Sequence, residues 1–115
     1  MRGDEERVVA AFCAWLEQHG WTVQREVGFI DVSAQRGDER IYAEVKGRTS
    51  EPGLDVDTMF GQLLRRMTDA TARYAVVVPE GRALTAVLRV PASVLERLGI
   101  DVYAVTDDGA VSRVG

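Results

Sequence analysis

The sequence predicts a mixed α/β domain in one piece, residues 1–115. Three observations carry that expectation. Helical and strand periodicities follow one another in the order α-β-β-β-α-β-α-β-β. One run, Arg73 to Val78, is apolar almost throughout, as in a strand buried on both faces of a sheet. The 115 residues are 46% hydrophobic and 28% charged, enough to bury a core without disulfide or metal staples. No internal repeat, low-complexity stretch or linker divides the chain.

Asp4 to His19 reads as an amphipathic helix, with Val8, Val9, Phe12, Cys13 and Leu16 at helical spacing and Gly20 as its stop. Trp21 to Val27 alternates like a strand, with Trp21, Val23 and Val27 on one side. Gly28 separates it from a second strand, Phe29 to Gln35. The turn Arg36-Gly37-Asp38-Glu39 leads into a third, Arg40 to Lys46. A polar loop, GRTSEPGLDV, follows. Asp57 or Thr58 can cap a second helix reaching about Thr71, with Phe60, Leu63, Leu64 and Met67 as its buried stripe. After the apolar strand, Ala83 to Leu98 is helical with an interruption near Pro91. Ile100 to Thr106 and Ala110 to Val114 flank Asp107-Asp108-Gly109 as a closing hairpin.

Composition narrows the function classes. Cys13 is the only cysteine, so no intrachain disulfide can form and a reducing, cytoplasmic setting is expected. The start, MRGDEER, is polar where a signal peptide would be apolar, and no run is long enough to span a bilayer. One Cys and one His cannot assemble a zinc site, and no phosphate-cradling glycine motif is present, so no organic cofactor is expected. His19 suits a helix-end charge interaction, and Trp15 and Trp21 suit packing of the first helix on the sheet. The net charge of −4 argues mildly against a nucleic-acid partner, yet a site of clustered carboxylates lowers the total while a local arginine strip still meets phosphates.

The chain has one lysine, Lys46, beside thirteen arginines, and its surroundings give that choice a chemistry. With Arg36 paired to Glu39 across the second hairpin, Ala34 meets Ile41, Val32 meets Ala43 and Ile30 meets Val45. All six are apolar, which supports the register. The opposite face then pairs Ser33 with Tyr42 and Asp31 with Glu44, and Lys46 follows on the same side. Directly opposed Cβ atoms lie ~4.5–5.5 Å apart, and like charges so placed repel. The compensating cation is either Lys46 itself or a divalent metal, for which two carboxylates, a backbone carbonyl and water form a hard-oxygen set suited to Mg²⁺ or Mn²⁺. Beside such an ion an ammonium is no ligand, but it can position a water or stabilise phosphate charge. Lysine suits that role because its charge is compact and its pKa can shift. The bland alternative is three polar residues on a solvated strand face.

From the first helix to Val78 the sequence resembles the PD-(D/E)XK nuclease superfamily, whose restriction endonuclease-like fold has an αβββαβ core. The residues that carry the resemblance are Gly28-Phe29-Ile30-Asp31-Val32 and Ala43-Glu44-Val45-Lys46, with AEVKGR close to the motif of Holliday junction resolvase-like and Mrr-like members. The resemblance implies a mixed central sheet flanked by helices, to which this chain adds a C-terminal helix and hairpin. It implies Asp31, Glu44 and the Val45 carbonyl as metal ligands, Lys46 as the catalytic cation, and Mg²⁺-assisted hydrolysis of DNA phosphodiesters. The family's helix-borne glutamate sits about one turn nearer the glycine that ends the helix, where this chain has Val9, and Glu5 and Glu6 lie one turn upstream. Glu6 is the choice for that role, with Glu5 and Glu26 as alternatives. GQLLRRM (Gly61 to Met67) resembles the glutamine-bearing helix of RecB-like nucleases, which makes Gln62, Arg65 and Arg66 candidate DNA contacts. Arg48 and Thr49, next to the motif, are candidate phosphate contacts. A domain this small encloses little of a duplex, so a homodimer is expected. The competing expectations are a degenerate member that binds nucleic acid or protein without cutting, and a nuclease unit of a larger assembly.

Overall fold

A computed structural model describes residues 2–114, with side chains from 4 onward. The elements are α1 (Arg2–Gln18), β1 (Thr22–Val27), β2 (Ile30–Arg36), β3 (Glu39–Val45), α2 (Pro52–Arg65), β4 (Arg73–Pro79), α3 (Arg82–Val87), α4 (Ala92–Leu98), β5 (Ile100–Val105) and β6 (Val111–Val114). All six strands form one mixed sheet in sequence order. β1, β2 and β3 pair antiparallel, β3, β4 and β5 parallel, and β6 returns antiparallel to β5.

Helices cover both faces of the sheet. Val8, Val9, Phe12 and Leu16 of α1 pack with Val32, Ala34, Ile41, Ala43, Val45, Ala75 and Val77. On the other face, Val56, Met59 and Leu63 of α2, with Ala83, Ala86, Val87 and Leu95, cover Val76, Val78 and Val102. β4 supplies alternate residues to both cores, which is why its run is apolar throughout. Trp21 is buried in the first core and the Trp15 ring packs at a tilt against Tyr103, so both tryptophans fix α1 to the sheet. Among the described residues no helix is long and apolar enough to cross a membrane.

The hairpin register is as expected from Arg36↔Glu39 to Val32↔Ala43, but several details need correction. α2 starts at Pro52, five residues before Asp57, because proline's fixed φ and missing N–H suit a first helical position. It ends at Arg65, short of Thr71. With this earlier start, Val56, Met59 and Leu63 form the buried stripe and Leu64 is exposed. Val27 is also exposed, because the backbone at Glu26 turns to φ 55° just before it. The interruption expected near Pro91 is present: the stretch is two helices, with Pro91 as the N-cap of the second.

Candidate active site at the parting of β2 and β3

The ladder between β2 and β3 stops at Val32↔Ala43, so Asp31 and Glu44 are not the directly opposed ladder pair that extrapolated register implies. Beyond that point the strands part. The Asp31 side chain takes over from its backbone, accepting a 2.8 Å hydrogen bond from the Val45 N–H through Oδ2. β3 meanwhile continues along β4, with Glu44 beside Val76 and the Lys46 N–H donating to the Val77 carbonyl at 3.0 Å. A strand residue's N–H and C=O face the same neighbour, so the Val45 carbonyl shares the Asp31 side of β3. Ile30, freed from the ladder, is half-buried rather than core.

Glu44 is the buried carboxylate among the described residues, 3% exposed. Burial, and next the hydrogen bond and charge of Asp31, push its carboxyl up to about 7 against the pull of Arg66. Arg66 Nη1 lies 2.5 Å from Glu44 Oε1. The Arg66 guanidinium also sits over the ring of Phe29, 5.5 Å from its centroid.

Asp31 and Lys46 open into a cleft of about 350 Å³ at the end of the sheet, between the first turns of α1 and α2. Glu5, Glu6, Glu26 and Asp55 line the same cleft, with Arg25, Arg48 and Thr49. Asp55, from the first turn of α2, was not anticipated; the only hint is the capping preference of acids at a helix start, which here belongs to a helix beginning earlier than expected. Of the candidate helix acids, Glu6 is engaged by Arg25, whose hydrogen bond holds that carboxyl below its usual range. Glu5 is positioned by a close backbone approach: Gly47 packs directly against the first turn of α1. The Asp4 side chain accepts from the Arg48 N–H across the same seam. Glu26 lies opposite Asp31, bracketed by the pairs Arg25↔Val32 and Val27↔Ile30. Among the described residues it is the non-glycine with positive φ, a strained conformation typical of functional segments.

The other expected contacts are dispersed. The Arg48 guanidinium pairs with Asp107. Gln62 is half-buried on α2, and Arg65 is exposed. Arg66, expected on the outer face, is instead turned inward onto Glu44. Phe29, Arg65 and Arg66 border a second depression of about 340 Å³.

Among the described residues no group of three or more His, Cys, Asp or Glu side chains is drawn together as a metal cluster. The donors present are nevertheless two adjoining carboxyls and a peptide carbonyl, all hard oxygens, and Mg²⁺ binds through one or two carboxylates completed by water and phosphate. The residues fit such an ion. The chain matches no protein-family model, and no curated protein shows significant similarity to it.

Proposed function

We propose that the domain is a PD-(D/E)XK-type nuclease with a restriction endonuclease-like αβββαβ core, hydrolysing DNA phosphodiester bonds with a divalent metal. The observation that carries this reading is a buried carboxyl, Glu44, pressed against a second, Asp31, where two strands part beside Lys46. Folding does not ask for that arrangement: withdrawing a carboxylate from water costs several kcal/mol, and a like charge alongside adds to it. Perturbed acids in such a position point to chemistry.

Asp31, Glu44 and the Val45 carbonyl would hold Mg²⁺ or Mn²⁺, which when bound supplies electrophilic stabilisation of the phosphate and a more acidic water. Lys46 enters the cleft beside Asp31, where its ammonium orients the attacking water by hydrogen bonding and offsets charge growing on the phosphate oxygens. Glu5, Glu6 and Glu26 face the same space and can accept the water's proton. Thr49 and Arg48 at the rim meet the strand's phosphates. A second copy of the domain would extend the surface offered to a duplex.

The Arg66–Glu44 ion pair favours a second reading, in which the fold binds nucleic acid without cutting it. Incubation with linear, supercoiled and four-way-junction DNA in Mg²⁺, Mn²⁺ or EDTA separates the two. Metal-dependent cleavage abolished by Asp31→Ala and by Lys46→Ala is expected. Binding without cleavage in every metal would leave the second reading standing.

A further inference from the structure

Resting on the metal-site reading above, we infer that Arg66 is a displaceable internal counter-ion: it holds Glu44 while the site lacks metal and is released onto a DNA phosphate when metal enters. Three features of the geometry argue for it. The guanidinium contacts Glu44 Oε1 at 2.5 Å, so one of the two carboxylate oxygens is already engaged by a cation. An ion held on the same carboxylate would lie close to the guanidinium charge, and like charges at short range in a part-buried site repel, so metal occupancy opposes the ion pair. The Arg66 side chain is 26% exposed against 4% for Glu44, which gives the arginine, not the glutamate, a route outward.

The outward route is furnished. Phe29 stands 82% exposed at the tip of the β1–β2 hairpin, and its ring already lies under the guanidinium. Exposed Arg65 is next in sequence and borders the same depression. Once parted from Glu44, Arg66 keeps the stacking contact and turns its planar donors to the rim, where a phosphate is the matching acceptor. Metal and DNA are thereby linked: each favours the state in which Arg66 has left Glu44, and the linkage is reciprocal.

The test uses Ca²⁺, which takes the same oxygen ligands, and a short DNA duplex. Calorimetry at about pH 8.5, where carboxylates are ionised, compares wild type with Arg66→Gln. The variant is expected to bind Ca²⁺ alone at least about fivefold more tightly, a coupling of ordinary size. It is expected to bind DNA like wild type in EDTA and severalfold more weakly in Ca²⁺. Unchanged or weaker Ca²⁺ affinity, or an equal loss of DNA affinity with and without Ca²⁺, overturns the inference while leaving the metal site intact. Absence of any Ca²⁺ uptake that Asp31→Ala removes would sink the metal-site reading itself. Should Arg66→Gln not fold, NMR of the wild-type guanidinium carries the same question. Its restricted rotation, expected without metal, should be released at saturating Ca²⁺, and an Arg66 signal that Ca²⁺ leaves unmoved overturns the inference.

Discussion

Gly47 and Glu5 are in backbone contact: a β-carbon on Gly47 would come within 2.4 Å of the Glu5 nitrogen and 2.7 Å of its Cα. The residue after Lys46 thus sets where the first turn of α1 lies, and with it the acid that α1 brings to the cleft. Neither backbone can yield without moving α1. Gly47→Ala is therefore expected to destabilise the domain by roughly 1–3 kcal/mol, the usual cost of overpacking, measured by urea unfolding. It should also weaken Mn²⁺ uptake, because it pushes Glu5 away from Asp31.

Glu44 predicts an unusual dependence of stability on pH. Its folded-state pKa, about 7, is raised above the value of an unfolded glutamate, ~4.3. Between those values the folded protein binds more protons than the unfolded chain, so stability falls as pH rises. In EDTA, unfolding free energy should decline from about pH 4.5 to about pH 7 by on the order of 1–3 kcal/mol. Glu44→Gln should flatten that slope. A wild-type profile that rises across the window would contradict the burial argument.

How far the site was legible in the sequence follows from which forces act locally. The β2–β3 register is readable because Val32, Ala34, Ile41 and Ala43 must share one face, and a one-residue slip would expose all four. The same reasoning overreaches at Asp31, where alternation continues in the sequence but the ladder does not. Its side chain bonding to the Val45 N–H is a choice between two partners for one donor, which periodicity does not encode. Arg66 shows the same gap. Its place on a helical wheel suggests solvent, but α2 ends one residue earlier, at Arg65, and beyond a helix end the wheel no longer governs direction. Asp55 is missed for a related reason, since a loop reading of GLDV hides a residue that the Pro52 start puts on the first turn.

Glu26 offers a test in which stability and function move in opposite directions. At φ 55° a side chain costs roughly 1–2 kcal/mol that glycine does not incur. Glu26→Gly, partly offset by glycine's larger entropy in the unfolded chain, is expected to stabilise the domain by roughly 0.5–1 kcal/mol in thermal or urea unfolding. The cleft loses a carboxylate opposite Asp31, so Mn²⁺ affinity should fall. Equal metal affinity in the variant would assign the strain to the β1–β2 turn alone.

Lys46 is separated from the metal ligands by what its substitution should leave untouched. An ammonium has no lone pair to donate to an ion, and the side chain is only half-buried. Lys46→Ala is expected to keep the wild-type melting profile and to bind Mn²⁺ at least as well as wild type, because a nearby positive charge has been removed. Cleavage should nevertheless fall by about 10²–10³, the scale of losing one preorganised donor to developing charge. Lys46→Arg should recover little of it, since a planar fork cannot occupy the position of a compact ammonium. If Lys46→Ala instead weakens Mn²⁺ uptake while cleavage at saturating Mn²⁺ stays normal, the lysine serves to assemble the site and not to carry out its chemistry.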